Sequence, residues 1–185
     1  MSNSSPDGDW GESGVDLSKV KAWGPPSMAE VRPDYPFVLV SPQSPSGDEF
    51  DIEALDELAR VLLDRLPGLD RERVLATGLS LGGIATWEWA IAHPGRFAGI
   101  APIAGDAEPA HACAVKDLPT WAFHGDADDS VPIAGERTFI AALRACGGKP
   151  RYTVYEATGH VDAWRKAYAD PALEKWLLAQ RKRSQ

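Results

Sequence analysis

The stretch that decides the expected fold is VLATGLSLGGIATWEWA, residues 74–90. It begins as an apolar run, turns through GLSLGG and continues with helical spacing, which predicts a buried strand, a tight turn and a helix. Ser80 stands in this turn within the pattern G-x-S-x-G. Where that pattern joins a strand to a helix, the serine backbone is strained, its hydroxyl projects above the sheet, and its neighbours Gly78 and Gly82 must be small. The alternative is a tight turn whose serine only caps the helix.

The rest of the chain alternates between strand and helix patterns. Short apolar runs predict strands over residues 35–41, 73–78, 97–104, 119–123 and 151–155. Apolar stripes and helix-end signals predict helices over residues 52–66, 81–92, 133–146 and 171–181, and a short helix over 17–23 that Gly24-Pro25-Pro26 would end. This alternation predicts one α/β domain over residues 1–185, with a polar coil over residues 1–14. Its sheet is expected to be mainly parallel, with about five strands and with helices on both faces.

Composition narrows the classes of function. The 185 residues carry a net charge of −8, and the only basic block lies at the C-terminus, so neither nucleic acid nor an anionic membrane is the expected partner. No run is long enough to span a membrane, and the N-terminus lacks the basic and apolar regions of a signal peptide. Cys113 and Cys146 are too few for a disulfide framework. They are expected to be free thiols, which fits a reducing, cytoplasmic compartment, although a start codon set too late would hide a signal peptide.

Three predicted strands are followed by residues that could carry chemistry, at the sheet edge where α/β proteins form their sites. One is Ser80. Another is the loop HGDADDSVP over residues 124–132, whose Asp126, Asp128 and Asp129 could bind a cation, cap the next helix or orient a histidine. The last is His160, which follows the final predicted strand in a Gly-His pair.

Taken together, these residues favour nucleophilic catalysis. Serine is a poor nucleophile at neutral pH and needs an adjacent base, and an imidazole base needs a carboxylate to fix its tautomer and stabilise its charged form. Serine, aspartate and histidine follow three different strands in the chain order of α/β-hydrolases. The N–H of Leu81, at the start of the next helix, is the expected oxyanion donor. His111 and Cys113 are too small a set for a metal site, so no metal is expected.

The chain resembles the esterase branch of the α/β-hydrolase superfamily: phospholipases/carboxylesterases, dienelactone-hydrolase-like proteins and feruloyl-esterase-like "predicted peptidases". The resemblance is carried by RVLATGLSLGGIATWEWAIAHPGRFAGIAPIAG, LPTWAFHGDADDSVP, YTVYEATGHVDAW and ALEKWLLAQRKR. The family pattern H-G-x-x-D-x-x-V-P implies Asp128 as the triad acid, with Asp129 as its rival. It also implies that His124 anchors the acid loop, residues 124–132. His160 matches the family's Gly-His, and Trp164 matches the aromatic residue after it, which would wall the substrate pocket.

The resemblance breaks at the N-terminus. Family members begin with a strand that ends in a His-Gly loop before G-E-x-G, but here GESG at residues 11–14 follows the polar MSNSSPDGDW. The family's second oxyanion donor would fall on Trp10 or Gly11. The missing strand is central in the family's sheet, so the strands predicted at 35–41 and 73–78 must pair directly, leave a gap or accept a strand from elsewhere. We expect a three-layer α/β-hydrolase fold that is N-terminally truncated or rearranged and has no lid domain.

The resemblance implies a serine carboxylesterase that hydrolyses small or soluble carboxylic esters through an acyl-enzyme, without a cofactor. The expected partner is the ester substrate, and a homo-oligomer formed by strand exchange would fill the gap in the sheet. A peptidase, a thioesterase or a polyester depolymerase would use the same triad. A truncated remnant that lacks a formed oxyanion hole would be weakly active or inactive.

Overall fold

The structure is a computed structural model that describes residues 18–44 and 47–182. The chain divides between Asp51 and Ile52 into two compact units. The predicted strands that Ser80, Asp128 and His160 follow all lie in the second unit.

Among its described residues the first unit contains one α-helix, which begins where the sequence predicted that a helix would end. A 3₁₀ turn covers Lys19–Lys21, and helix α1 covers Gly24–Val31 with prolines in its first turn. The predicted helix over 17–23 is therefore wrong. Proline suits the first turn of a helix because the N–H that it lacks would have no intrahelical acceptor there, so Pro25 and Pro26 start α1 and do not stop a helix before it.

The predicted strand over residues 35–41 is also wrong. The structure forms no strand in that segment, and the side chains of Val38 and Val40 are 67% and 45% exposed. An apolar run becomes a strand only when a neighbouring strand satisfies its N–H and C=O groups. In the described part of the chain this run has no such neighbour, which leaves the sheet one strand short of the expected five.

The second unit supplies the sheet and five α-helices among its described residues. The strands are β1 (Leu75–Leu79), β2 (Gly99–Ile103), β3 (Trp121–Gly125) and β4 (Arg151–Tyr155). The helices are α2 (Ile52–Arg65), α3 (Leu81–Ala92), α4 (Ile133–Ala145), α5 (His160–Ala169) and α6 (Pro171–Leu178). The predicted strands and helices of this unit are found within a few residues of these bounds, and α5 was not predicted.

The four strands form a parallel sheet in the order β1-β2-β3-β4. β1 pairs with β2 from Leu75↔Gly99 to Leu79↔Ile103, and β3 pairs with β4 from Trp121↔Arg151 to Gly125↔Tyr155. All four carboxyl ends therefore lie at the same edge of the sheet. Within the described residues β1 is an outer strand with β2 as its one partner, and the direct pairing of strands at 35–41 and 73–78, one of the expected arrangements, does not form.

Helices cover both faces of the sheet. On one face, Trp87 of α3 and Phe139 of α4 are fully buried with ring centroids 4.6 Å apart, and they share a core with Ile100 and Ala122. Side chains alternate along a strand, so Trp121, next to Ala122, faces the opposite way and packs edge-on against Trp176 of α6. The expected three-layer α/β arrangement is confirmed.

The expectation of free thiols is wrong. Cys113 and Cys146 form a disulfide with their Cα atoms 5.3 Å apart. It joins the 3₁₀ helix over Pro109–Val115 to the residue that follows α4, and only the packing of these two elements brings the cysteines together. Disulfides persist in oxidising compartments, so these cysteines do not support the expected reducing compartment. In the described part of the chain, no helix has the length and apolar character needed to cross a membrane.

Candidate active site

Ser80 occupies a strained turn between β1 and α3. Its backbone has φ 53° and ψ −121°, a region that side-chain-bearing residues rarely adopt. Its N–H donates to the carbonyl of Ile103, 2.9 Å away at the end of β2. The serine hydroxyl makes no capping hydrogen bond to α3, so the alternative of a capping serine is not what the structure shows.

Close backbone packing explains two of the glycines in the site. A Cβ on Gly78 would overlap the carbonyl group of Gly82, and a Cβ on Gly83 would lie 2.5 Å from the carbonyl oxygen of Ile103. At Gly82 a Cβ would meet no atom within 4 Å. The expectation that both neighbours of Ser80 must be small therefore holds for Gly78 and is wrong for Gly82, because only Gly78 faces backbone across the turn.

His160 contacts residues that follow two other strands, β1 and β3. It follows β4 as the first residue of α5, and its ring is buried. Nε2 lies 2.8 Å from Oγ of Ser80, and Nδ1 lies 2.6 Å from Oδ2 of Asp128. An ionised carboxylate can only accept, so Nδ1 carries the proton and Nε2 presents its lone pair to the serine hydroxyl.

Among the three aspartates of the acid loop, Asp128 is the one bonded to His160. It is 8% exposed, whereas Asp126 and Asp129 are exposed. Its other oxygen, Oδ1, accepts hydrogen bonds from the N–H groups of Ser130 and Val131 at 3.0 and 2.9 Å. Both carboxylate oxygens therefore have partners. No cluster of three or more His, Cys, Asp or Glu side chains suited to a metal ion occurs among the described residues.

A buried pair behind Asp128 includes a residue that the sequence reasoning missed. His124 lies as expected beside the acid loop, with Nε2 2.8 Å from the carbonyl oxygen of Val131, but its Nδ1 lies 2.8 Å from Oε2 of Glu136. Glu136 is fully buried. The signal was present, because Glu136 interrupts the apolar stripe that Ile133 and Ile140 form on α4.

Burial and charge shift the pKa values of this pair. Burial raises the pKa of Glu136 to about 7, and the hydrogen bond from His124 opposes that rise. Burial lowers the pKa of His124, but the hydrogen bond and charge of Glu136 outweigh it, so the net shift is upward. Both net shifts are upward, so each group of the pair binds its proton more tightly in the folded protein than it would in solution.

Of the remaining predicted site residues, the structure describes Leu81 and Trp164. Leu81 is the first residue of α3, where a backbone N–H has no intrahelical acceptor. Trp10 and Gly11 lie outside the described residues. Trp164 is 1% exposed and packs edge-on against the ring of His160, with centroids 5.1 Å apart. The indole thus lies against the histidine.

Comparison with known proteins shows a family and a fold for this chain. A family model described as phospholipase/carboxylesterase matches residues 35–167, a range that contains Ser80, Asp128 and His160. A solved structure described as a thermostable esterase superimposes with a TM-score of 0.68 at 32% sequence identity, covering 77% of this chain and 40% of that one. The α/β-hydrolase fold expected from the resemblance is therefore confirmed.

Two curated relatives differ in what their names say about activity. The "Putative esterase NocK" of Nocardia uniformis subsp. tsuyamanensis is 33% identical over 122 residues, which are 63% of this chain and 36% of that protein. A "Probable inactive carboxylesterase" of Oryza sativa subsp. japonica is 28% identical over 161 residues, which are 82% of this chain and 64% of that protein. The chain spans between about a third and two thirds of the length of these relatives.

Proposed function

Because the chain belongs to the phospholipase/carboxylesterase family, we propose that it is a serine esterase that hydrolyses small or soluble carboxylic esters. The observation that carries the proposal is the hydrogen-bonded series from Ser80 Oγ through the His160 ring to Asp128, with contacts of 2.8 and 2.6 Å. A nucleophile within hydrogen-bond reach of a base, which is oriented in turn by a carboxylate, is the arrangement that acyl transfer requires.

In the first half of the reaction, Ser80 Oγ attacks the ester carbonyl carbon while Nε2 of His160 takes the hydroxyl proton. The imidazolium gives that proton to the alkoxy oxygen of the substrate as the carbon–oxygen bond breaks, so the alcohol leaves neutral and the acyl group stays on Ser80. Asp128 stabilises the imidazolium through Nδ1–H. In the second half, water attacks the acyl-enzyme, His160 takes its proton, and Ser80 leaves with that proton restored.

The negative charge that develops on the carbonyl oxygen needs hydrogen-bond donors. The N–H of Leu81 is the donor nearest in sequence to Ser80, and the start of α3 adds the positive end of the helix dipole. Trp10 or Gly11 is the proposed source of the second donor. One missing donor lowers kcat by about 10²–10³-fold.

The preference for small or soluble esters is drawn from the connection between β2 and β3. It contains one short 3₁₀ helix, Pro109–Val115, and long-chain lipid substrates would need a larger apolar surface over the site. Trp164 is proposed to support the ring of His160 beside the substrate.

The test is hydrolysis of p-nitrophenyl acetate and butyrate by the wild type and by Ser80→Ala, with fluorophosphonate labelling of both. We expect turnover and labelling in the wild type and neither in the variant. A folded wild type that neither turns over nor labels would reject the esterase.

That outcome would favour the second candidate, a remnant that keeps the fold without the activity. Two observations support this alternative: the name of the rice relative, which is 28% identical to this chain, and the outer position of β1 in the described sheet. A remnant with the triad intact but without a second oxyanion donor would label slowly, so the labelling rate separates weak activity from none.

A further inference from the structure

The side chains of His124 and Glu136 extend the hydrogen-bonded series of the site into the core. His124 Nε2 lies 3.3 Å from Oδ2 of Asp128, the same oxygen that His160 bonds. On the far side of the ring, Nδ1 meets Glu136 Oε2 at 2.8 Å. Both side chains are fully buried. Ser80, His160, Asp128, His124 and Glu136 thus form one continuous row of contacts.

The hydrogen-bond geometry fixes how many protons the pair holds. The carbonyl of Val131 can only accept, so Nε2 of His124 must carry a proton to make its 2.8 Å contact. The 2.8 Å contact between Nδ1 and Glu136 also needs one proton, on either atom. When that proton is on the nitrogen, the pair is an imidazolium and a carboxylate. It is then neutral overall, with its positive end against Asp128.

We propose that His124 and Glu136 are positioning residues that hold the Asp128 carboxylate ionised and directed at His160. The inference rests on the proposed esterase function, because it assigns the pair a part in that reaction. Neither residue touches the reacting atoms. Glu136 stabilises the imidazolium form of His124, and that imidazolium gives Asp128 a cationic neighbour on the side opposite His160.

The same histidine also braces the turn that presents Asp128. Val131 uses its N–H to bond Oδ1 of Asp128 at 2.9 Å and its carbonyl to accept from His124. A displaced His124 ring would therefore disturb the carboxylate through both charge and backbone. If His124 only supported the fold, it would hold the backbone at Val131 without affecting the charge of Asp128. The experiments must therefore distinguish a backbone effect from an electrostatic one.

Other titratable and charged groups surround the pair. The indole N–H of Trp87 on α3 points to Glu136 Oε1 at 3.5 Å. The phenol of Tyr152 on β4 lies beside Glu136, and burial together with that carboxylate raises the pKa of the phenol. Arg137 and Arg144 of α4 act on Tyr152 in the opposite sense.

Asp128 is the anion that faces the pair from the acid loop. Burial raises the pKa of Glu136, while the hydrogen bond and the charge of His124 oppose that rise, so the carboxylate form of Glu136 depends on His124.

The sign of one pKa change distinguishes the possibilities. If the pair presents a cation to Asp128, its replacement by a neutral pair raises the pKa of His160, because the imidazolium of His160 loses a repelling neighbour. If Glu136 were an isolated anion, its removal would lower the pKa of His160. If the pair only supports the fold, the pKa of His160 would not move.

The first experiment compares pH profiles of kcat/KM for p-nitrophenyl butyrate between pH 5 and 9. Glu136→Gln keeps the volume and can hydrogen-bond a neutral His124. We expect its acidic limb to move up by about half a pH unit or more, and kcat to fall about tenfold with KM little changed. Asp129→Asn is the matched control, since it neutralises an exposed carboxylate next to Asp128, and its limb should stay or move down. An unchanged or lowered limb in Glu136→Gln would overturn the inference.

The second experiment needs neither turnover nor a folded Glu136 variant. NMR titration of ¹⁵N-labelled histidines in Ser80→Ala follows the rings of His160 and His124 directly. We expect the His160 curve to show a second inflection at the pH where His124 titrates. Independent curves for the two rings would overturn the pairing even if the wild type is an active esterase. A wild type without turnover, with coupled curves, would reject the esterase and keep the electrostatic role of the pair.

Discussion

The turns that carry Ser80 and Asp128 are stabilised by different kinds of interaction. Both follow the carboxyl end of a parallel strand, and both present one side chain to His160. The Ser80 turn depends on missing side chains, because α3 lies close to β1 at Gly78 and close to β2 at Gly83. The Asp128 turn depends on polar partners, because two N–H groups and a buried histidine surround its carboxylate.

The difference predicts how each turn can be damaged. The Ser80 turn should be sensitive to added volume and insensitive to pH, since backbone packing holds the serine in a conformation with φ 53°. The Asp128 turn should be damaged by substitutions that change charge even when they keep the volume. A buried carboxylate that loses its hydrogen-bond partners raises the free energy of the folded state.

The largest expected effect is that of Gly78→Ala, which places a methyl group on the carbonyl of Gly82. We expect loss of the folded protein, or at least several kcal/mol of stability, about 3 or more, with loss of fluorophosphonate labelling. The matched control is Gly82→Ala, whose methyl group meets no atom within 4 Å and which replaces glycine inside a helix. It should fold normally and gain about 0.5–1 kcal/mol, measured by urea unfolding.

Equal effects of the two alanine variants would contradict this account of the Ser80 turn. In that case the strain at Ser80 would come from the sequence pattern as a whole, and the packing of Gly78 against Gly82 would not be its cause.

The next effect in size is that of Asp128→Asn, which tests the polar turn. The amide keeps the volume but allows His160 to adopt the wrong tautomer, so kcat should fall by about 10³–10⁴-fold. The melting temperature should fall as well, because the buried groups around Asp128 lose the charge that they bond. Asp129→Asn, which changes an exposed neighbour, should keep kcat within about threefold. Comparable losses in both variants would mean that either carboxylate can orient His160.

The turns and most helices were predictable from sequence because their signals are local. The helix over residues 81–92 was predicted with the bounds that the structure gives, since a glycine-rich turn and His-Pro-Gly delimit it. The same holds for the positions of Ser80, Asp128 and His160 at three strand ends, because parallel strands bring those ends to one edge.

The predictions that were wrong or absent concern features that depend on contacts between residues distant in sequence. The run at 35–41 has strand composition, but a strand also needs a neighbour, and composition does not say whether one exists. The disulfide joins cysteines 33 residues apart without a spacing pattern. Glu136 could have been noticed as a charge in an apolar stripe, but its partner His124 lies on another element, so its role needed the structure.

The disulfide provides a smaller effect that should fall mainly on the Asp128 turn. It closes a loop that contains β3, Asp128 and Glu136 but not Ser80. Reduction, or the double variant Cys113→Ser/Cys146→Ser, should lower the free energy of unfolding by about 2–4 kcal/mol. Amide exchange should accelerate more at Ser130 and Val131 than at Ser80. Reductant should have no effect on the double variant, and equal acceleration at both turns would remove the distinction.

The smallest expected effect is a pH dependence of stability that only the Asp128 turn should show. The pKa of Glu136 is raised from 4.5 to about 7 and that of His124 is raised from 6.5, so the folded protein binds more protons than the unfolded chain in this range. Stability from such groups is present below their unfolded pKa values and is lost as the pH rises through the folded ones. The stability of the wild type should therefore fall relative to Glu136→Gln between pH 5 and 8, by about 1 kcal/mol. Gly82→Ala, which alters only the Ser80 turn, should follow the wild type at a constant offset. Parallel curves of stability against pH for the wild type and Glu136→Gln would mean that the buried pair binds the same number of protons in the folded and unfolded states. The proposed difference between the Ser80 turn, which depends on close packing, and the Asp128 turn, which depends on charge, would then be wrong.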